Sequence, residues 1–228
     1  MRTRPIYILS QELLFPPVEW ARPDGLLAAY GDLSTERLLL AYQSGIFPWY
    51  SADSPILWWA PLERAVIAPA ELHVGRSLRK AVRRGEFELR FDTAFAAVIA
   101  ACATTPRRGE TGTWIVPEMI EAYTRLHAAG YAHSVETYKD GVLLGGLYGV
   151  SLGGCFFGES MFSIADDASK VAFVALAERL VAWGFELIDG QLQNPHLDRF
   201  GLSVIPRAEF MLRLRRALRH PTRVGRWT

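Results

Sequence analysis

Two acids and an amide stand in apolar, strand-like segments where Val or Leu would be the ordinary choice. Glu159 lies in Phe156-Phe157-Gly158-Glu159-Ser160-Met161-Phe162, and Asp189 and Gln191 lie in Leu187-Ile188-Asp189-Gly190-Gln191. Burying such groups costs several kcal/mol unless each is hydrogen-bonded. In an extended chain, residues i and i+2 point to one face. Asp189 and Gln191 can therefore bond each other or converge on one ligand. The carboxylate can polarise the amide or accept a proton from an amine, and Gly190 between them leaves room for another backbone. A structural polar pair at a strand end has the same pattern, and the residues alone leave both readings open. By the same alternation Phe157, Glu159 and Met161 share a face. A lone carboxylate there is either paired with an arginine or holds a cationic ligand.

Other polar groups carry weaker signals. His133 and Glu136 have no partner at metal-ligand spacing, so His133 reads as a hydrogen-bonded core histidine. Ser163 and Lys170 lack the companions of a hydrolase site. The glycines at 145, 146, 149, 153 and 154 form no phosphate-cradling loop, and no acetyl-coenzyme A signature opens the helix after residue 160. Cys102 and Cys155 sit among apolar neighbours and read as buried free thiols.

The elements that must position these groups follow from pattern and punctuation. Ser34 can cap a helix that Gly45 ends, and Pro48 places Trp49 in a loop, where a large ring is often a stacking platform. Next come a short strand at 64–67, a basic helix at 76–84 and a strand at 86–91. Asp92 is expected to cap an Ala-rich helix running to about 103. A polar loop covers 104–111, and a helix runs from Pro117 to Gly130. Strands at 131–138 and 142–150 are joined by Lys139-Asp140-Gly141, a hairpin signal. A strand from Cys155, a helix at 167–183, a strand at 186–191 and a helix from Pro206 complete the chain. This order predicts an α+β fold. Its meander, helix and final strand are similar to the centre of N-acetyltransferase (GNAT-like) folds, an analogy that leaves function open.

With 228 residues the chain can bury one or two cores, and its 50% hydrophobic and 21% charged residues suit a soluble globular protein. Net charge is only +1, yet the bases cluster. Arg76, Arg79, Lys80, Arg83 and Arg84 recur without an acid, as do six arginines between Arg213 and Arg226. Such runs are usually solvated faces; two together favour a phosphate-rich partner. No secretory leader or membrane span is legible, so a cytoplasmic location without membrane contact is expected.

The chain resembles the bacterial leucyl/phenylalanyl-tRNA–protein transferases over roughly residues 13–212. The resemblance rests on Pro23-Asp24-Gly25-Leu26-Leu27-Ala28, Gly31-Asp32-Leu33-Ser34, Gly45-Ile46-Phe47-Pro48-Trp49, Leu57-Trp58-Trp59, Arg64-Ala65-Val66 and Gly112-Thr113-Trp114-Ile115, and on a run of signatures between 133 and 194: His133-Ser134-Val135-Glu136, Gly145-Gly146-Leu147-Tyr148-Gly149-Val150, Gly158-Glu159-Ser160-Met161-Phe162-Ser163, Ala168-Ser169-Lys170, Asp189-Gly190-Gln191 and Asn194. It implies a small N-terminal domain (1–62) and a GNAT-like mixed-sheet domain (63–228). It implies transfer of Leu, Phe or Met from leucyl-, phenylalanyl- or methionyl-tRNA to proteins beginning with Arg or Lys, which marks them for degradation by the N-degron route. No metal or other cofactor is expected.

By resemblance, Asp189 and Gln191 orient and deprotonate the amine, and Glu159 lies near the acceptor. Trp49 and Trp114 flank the terminal adenosine. Leu147, Phe173, Leu176 and Ile188 line the aminoacyl side-chain pocket, although alternation sends Ile188 and Asp189 to opposite faces. Asp189→Ala is then expected to abolish transfer in a protein that still folds. The basic cluster at 76–84 is expected to grip tRNA phosphates. Two other readings fit the residues less fully. A non-catalytic RNA-binding module needs no acid–amide pair on a buried strand, and a coenzyme A-dependent acetyltransferase would be revealed by coenzyme A binding.

Overall fold

The computed structural model describes residues 5–105 and 114–228, without the side chain of His196. Most of the loop expected at 104–111, and Gly112 and Thr113, lie outside the described residues.

The first part of the chain builds a small mixed sheet. It comprises β1 (Tyr7–Leu9), β2 (Leu26–Tyr30), then helix α1 (Thr35–Gln43), β3 (Phe47–Pro48) and β4 (Leu57–Trp59). The strands lie in the order β1-β2-β4-β3, with only β1 and β2 parallel. None exceeds five residues, too few for alternation to register in the sequence. Helix α1 begins as its cap predicts, with Ser34 Oγ accepting the Arg37 N–H at 3.3 Å.

The rest builds a larger sheet. Its elements are β5 (Glu63–Ile67), α2 (Arg76–Arg84), β6 (Glu88–Phe91), α3 (Phe95–Thr104), α4 (Pro117–Ala128), β7 (Ala132–Lys139), β8 (Val142–Leu152), β9 (Cys155–Ser163), α5 (Ala168–Ala182), β10 (Leu187–Asp189), α6 (Pro195–Asp198), β11 (Ser203–Pro206) and α7 (Arg207–Ala217). Seven strands lie in the order β11-β5-β10-β9-β8-β7-β6, and only β9 and β10 are parallel. The architecture is α+β with two mixed sheets. The β7–β8 hairpin turns on Asp140 (φ 52°) and Gly141 (φ 76°), two left-handed residues that match the twist of the strands.

Each face of the large sheet has its own core. Leu147, Phe156 and Ile188 face α5, which buries residues around most of its circumference. Tyr148, Phe157 and Leu187 face the other way, toward α3, α4, α7 and the small sheet. Gly145 lets α5 settle on β8: a Cβ there would lie 2.6 Å from Ala168 Cβ and 2.9 Å from the Ser169 nitrogen. Among the described residues, no helix is long and apolar enough to cross a membrane.

One expectation is corrected here. Asp92 does not cap α3. It adopts φ 56° and accepts hydrogen bonds from the Ser134 and Trp227 N–H groups at 2.8 and 2.7 Å, with His133 Nδ1 at 2.8 Å. Glu136 takes over the cap from the neighbouring strand. It accepts from Thr93 Oγ1 at 2.8 Å and from the Thr93 and Ala94 N–H groups at 3.4 Å. Trp227 stacks on His133 at 3.8 Å and is buried. The arginine-rich tail is thus pinned at its end, while its six arginines stay exposed.

Candidate active site

A gap in the large sheet makes the site. β10 pairs with β9 only from Leu187 opposite Cys155 to Asp189 opposite Phe157. β9 runs on to Ser163 against β8. The chain after β10 turns the other way, toward β5: Gly190 N–H donates to Ala65 O at 2.8 Å, and Ala65 N–H donates to Gln191 O at 3.0 Å. The strands part, and a cavity of about 720 Å³ opens between them. Glycine at 190 lets Leu197 and Leu202 pack close against the turn: a Cβ there would meet Leu202 Cδ2 at 2.7 Å and Leu197 Cδ1 at 2.9 Å, and both side chains would have to shift. Gln191 follows in the left-handed region (φ 61°), an unusual conformation for a non-glycine residue.

Glu159, Asp189, Gln191, Trp49, Trp114, Leu147, Phe173, Leu176 and Ile188 all line this one cavity. Ile188 and Asp189 do point to opposite faces. Ile188 packs with Phe173 and Leu176 on the α5 side, and Asp189 points toward β5 and α7. A cavity that opens at the strand's end reaches both. Trp49 follows β3 and is 40% exposed. Its ring meets Trp59 at 5.5 Å, and its carbonyl accepts from Trp59 Nε1 at 2.6 Å. The bases of α2 lie elsewhere. Arg76, Arg79, Lys80, Arg83 and Arg84 line a separate shallow hollow, while Leu78 and Val82 turn inward.

The two carboxylates have unlike surroundings. Asp189 is fully buried in a two-pronged pair with Arg64, Nε to Oδ1 at 3.2 Å and Nη2 to Oδ2 at 2.5 Å. Its Oδ1 also accepts the Gln191 N–H at 2.8 Å. That bond, and not strand alternation, brings 189 and 191 together. Arg64 donates further to Gly45 O at 2.7 Å and lies over the rings of Phe47 and Phe210.

Glu159 reaches its place through a β-bulge. Tyr148 pairs with Ser160 and Gly149 with Gly158, leaving Glu159 as the extra residue. The bulge reverses the alternation that follows. Glu159 stays on the face of Phe157, whereas Met161 moves to the α5 side, so the expected sharing of one face by 157, 159 and 161 ends at the bulge. Among the described residues, no arginine meets Glu159. Its oxygens accept from Tyr42 OH at 2.7 Å, Tyr123 OH at 3.1 Å and Gln191 Nε2 at 2.7 Å. Burial outweighs these bonds and raises its carboxyl from the usual 4.5 to about 7.

Sequence reasoning missed Arg64, Tyr42 and Tyr123. Arg64 did leave a signal, a lone base opening the apolar strand Arg-Ala-Val-Ile. The tyrosines left none, since a buried tyrosine in a helix is ordinary core. Chemically, the cavity joins an apolar end, two indole rings and a carboxyl that titrates near neutrality beside a fixed amide. Among the described residues, no group of three or more His, Cys, Asp or Glu is placed to hold a metal ion.

The family profile described as leucyl/phenylalanyl-tRNA protein transferase matches residues 66–215, and that of its N-terminal domain matches 31–62. A leucyl/phenylalanyl-tRNA–protein transferase of Myxococcus xanthus (strain DK1622) is 59% identical over 226 residues, covering 98% of this chain and 97% of that protein. One from Anaeromyxobacter sp. (strain Fw109-5) is 58% identical, covering 97% and 94%. Among solved structures, the C-terminal domain of a putative lysylphosphatidylglycerol synthetase from Agrobacterium fabrum is a remote likeness. It has 13% identity and a TM-score of 0.45 over 78% of this chain and 67% of that one. Matched along nearly its whole length by such relatives and by both family profiles, the chain belongs to the leucyl/phenylalanyl-tRNA–protein transferase family.

Proposed function

We propose that the protein moves Leu, Phe or Met from aminoacyl-tRNA to the α-amine of proteins that begin with Arg or Lys, marking them for degradation in the cytoplasm. One observation carries this reading. A single cavity joins an apolar slot (Leu147, Phe173, Leu176, Ile188) to two indole rings and to the Glu159–Gln191 pair. The slot takes the aminoacyl side chain, and Trp49 and Trp114 hold the terminal adenosine. The ester is already activated, so the enzyme's task is to position a neutral amine against it. Gln191 donates from its Nε2 to Glu159, and its own Oε1 is the group proposed to accept an amine N–H. Asp189 holds the turn that carries Gln191. We also read residues 1–62 as a small domain and 63–228 as a GNAT-like one, supported by the meander, helix and parallel strand and by the splayed β9–β10 pair.

Incubation with leucyl-tRNA and a peptide beginning with Arg tests this directly. Leucine should appear on the peptide's N-terminus, and its absence would refute the proposal. Isoleucyl-tRNA should react more slowly at limiting donor, because a branched Cβ widens the side chain beside the ester. Apolar pockets separate such pairs by only about 1–3 kcal/mol, so some leakage is expected.

The exposed bases of α2 are proposed to hold acceptor-stem phosphates. Reversing Arg76 and Arg83 to Glu should weaken different leucyl-tRNAs alike and flatten the log–log salt dependence, by an amount approaching one unit per lost contact. Transfer from a minimal aminoacyl-adenosine should barely change. Unchanged tRNA affinity and salt slope would make the cluster only a solvated face.

A further inference from the structure

Two phenol oxygens meet the two oxygens of Glu159 with one proton fewer than their three contacts require. Tyr42 OH lies 2.7 Å from Glu159 Oε1, Tyr123 OH lies 3.1 Å from Oε2, and the two hydroxyls bond each other. Three contacts need three protons, but two phenols supply two. With Glu159 ionised, each phenol donates to a carboxylate oxygen, Tyr42 to Oε1 and Tyr123 to Oε2. The contact between the two hydroxyls is then empty. A proton on Oε2 fills that gap: it donates to the Tyr123 oxygen, Tyr123 turns to donate to Tyr42, and the ring closes with every donor and acceptor matched. Oε1 accepts from Tyr42 and from Gln191 Nε2 in both states, so the amide of Gln191 does not turn over as Glu159 changes charge.

We infer that Tyr42, Tyr123 and Glu159 form a proton-holding ring in which the two tyrosines are positioning residues and Glu159 Oε2 takes the surplus proton of the acceptor amine. The step rests on the transfer reaction proposed above; the ring itself does not. The incoming ammonium gives one proton to Glu159. The neutral nitrogen attacks the ester carbonyl, a C–N bond forms, and the C–O bond to the terminal ribose breaks. The amine's second proton leaves on the ribose hydroxyl, and Glu159 later returns its proton to solvent. The tyrosines cannot be the acceptors. Burial and the Glu159 charge hold both phenols well above their usual range, so they stay protonated. They come from separate parts of the fold, Tyr42 from α1 and Tyr123 from α4, so the ring also ties the first part of the chain to the site.

Among the described residues, the other ionisable groups facing the ring are Asp189 on β10, held by Arg64 on β5, and Tyr148 on β8, which lies against Tyr123. Asp189 is the charge among them that disfavours ionised Glu159. It is common to all the variants below.

Both hydroxyls favour the ionised carboxyl. Tyr42 donates directly to the carboxylate, and a bond to a charged group outweighs one to a neutral carbonyl. Tyr42→Phe should therefore move the acid limb of the pH–rate profile up by about one pH unit. Tyr123 donates through a longer bond, at 3.1 Å. Tyr123→Phe should move the limb up as well, by about half a unit. KM for tRNA should hold in both variants.

Infrared difference spectroscopy of the free protein against pH reads the same ring without any transfer. A carboxyl stretch should titrate near 7 in the unmodified protein, vanish in Glu159→Gln, and titrate at higher pH in both Phe variants. A shift to lower pH in either variant, or none in both, would overturn the ring. If the stretch shifts as expected while no transfer occurs with any donor, the ring stands, and both the transfer reading and the proton step that rests on it fall.

Discussion

Asp189→Ala is expected to cost about 3–5 kcal/mol of folding stability as well as transfer. The sequence alone predicts a folded, inactive variant. The structure alters that expectation, because the Arg64 guanidinium is 1% exposed and would lose its counter-charge in a nearly dry environment. Asp189→Asn keeps an oxygen for the Gln191 N–H and should lose less stability. A double variant, Arg64→Met with Asp189→Leu, removes both charges and fills similar space. It should be more stable than Asp189→Ala, since a buried pair replaced by apolar groups is often neutral or better. It should still lack activity, because the turn carrying Gln191 loses its anchor. Equilibrium urea unfolding of the three variants and the unmodified protein measures this. An Asp189→Ala midpoint equal to that of the unmodified protein would show that the pair does not hold the fold.

Glu159→Gln should lower transfer at neutral pH by about 10²-fold, the usual scale for removing a positioned proton acceptor. It should also remove an ionisation from the pH–rate profile. The unmodified protein combines Glu159, titrating near 7, with the acceptor's own α-amine, whose ordinary value is about 7.7–8.0. The variant should keep only the second. Stability carries an independent signature. Glu159 is raised on folding from 4.5 to about 7, so the folded state holds this proton where the unfolded state has released it. Between those values the folded protein binds more protons, and stability falls as pH rises through that window. Glu159→Gln should flatten that part of the stability curve. Curves of the same slope in both proteins would mean that Glu159 ionises alike folded and unfolded.

Much of this protein is legible along the chain, for reasons that are local. Ser34 and Gly45 bound α1, Asp140-Gly141 forms the hairpin turn, and Pro117 and Gly130 bound α4, because caps and turns depend on residues a few positions apart. Buried apolar strands that carry Glu159 and Asp189 mark the place to look, because a polar group in such a run needs a partner. The partners themselves were decided only by the tertiary structure. Arg64 stands 125 residues from Asp189, and Tyr42 stands 117 residues from Glu159. No periodicity spans such distances. The bulge at Glu159 reversed the faces of the residues after it, since one unpaired residue shifts a two-residue repeat out of phase. Likewise Glu136 holds the cap that spacing assigned to Asp92, because β7 lies beside β6 and the chain's end folds back onto Asp92. Sequence placed the acids; the paths of β5, β9, β10 and two helices decided which is locked in an ion pair and which is left to titrate.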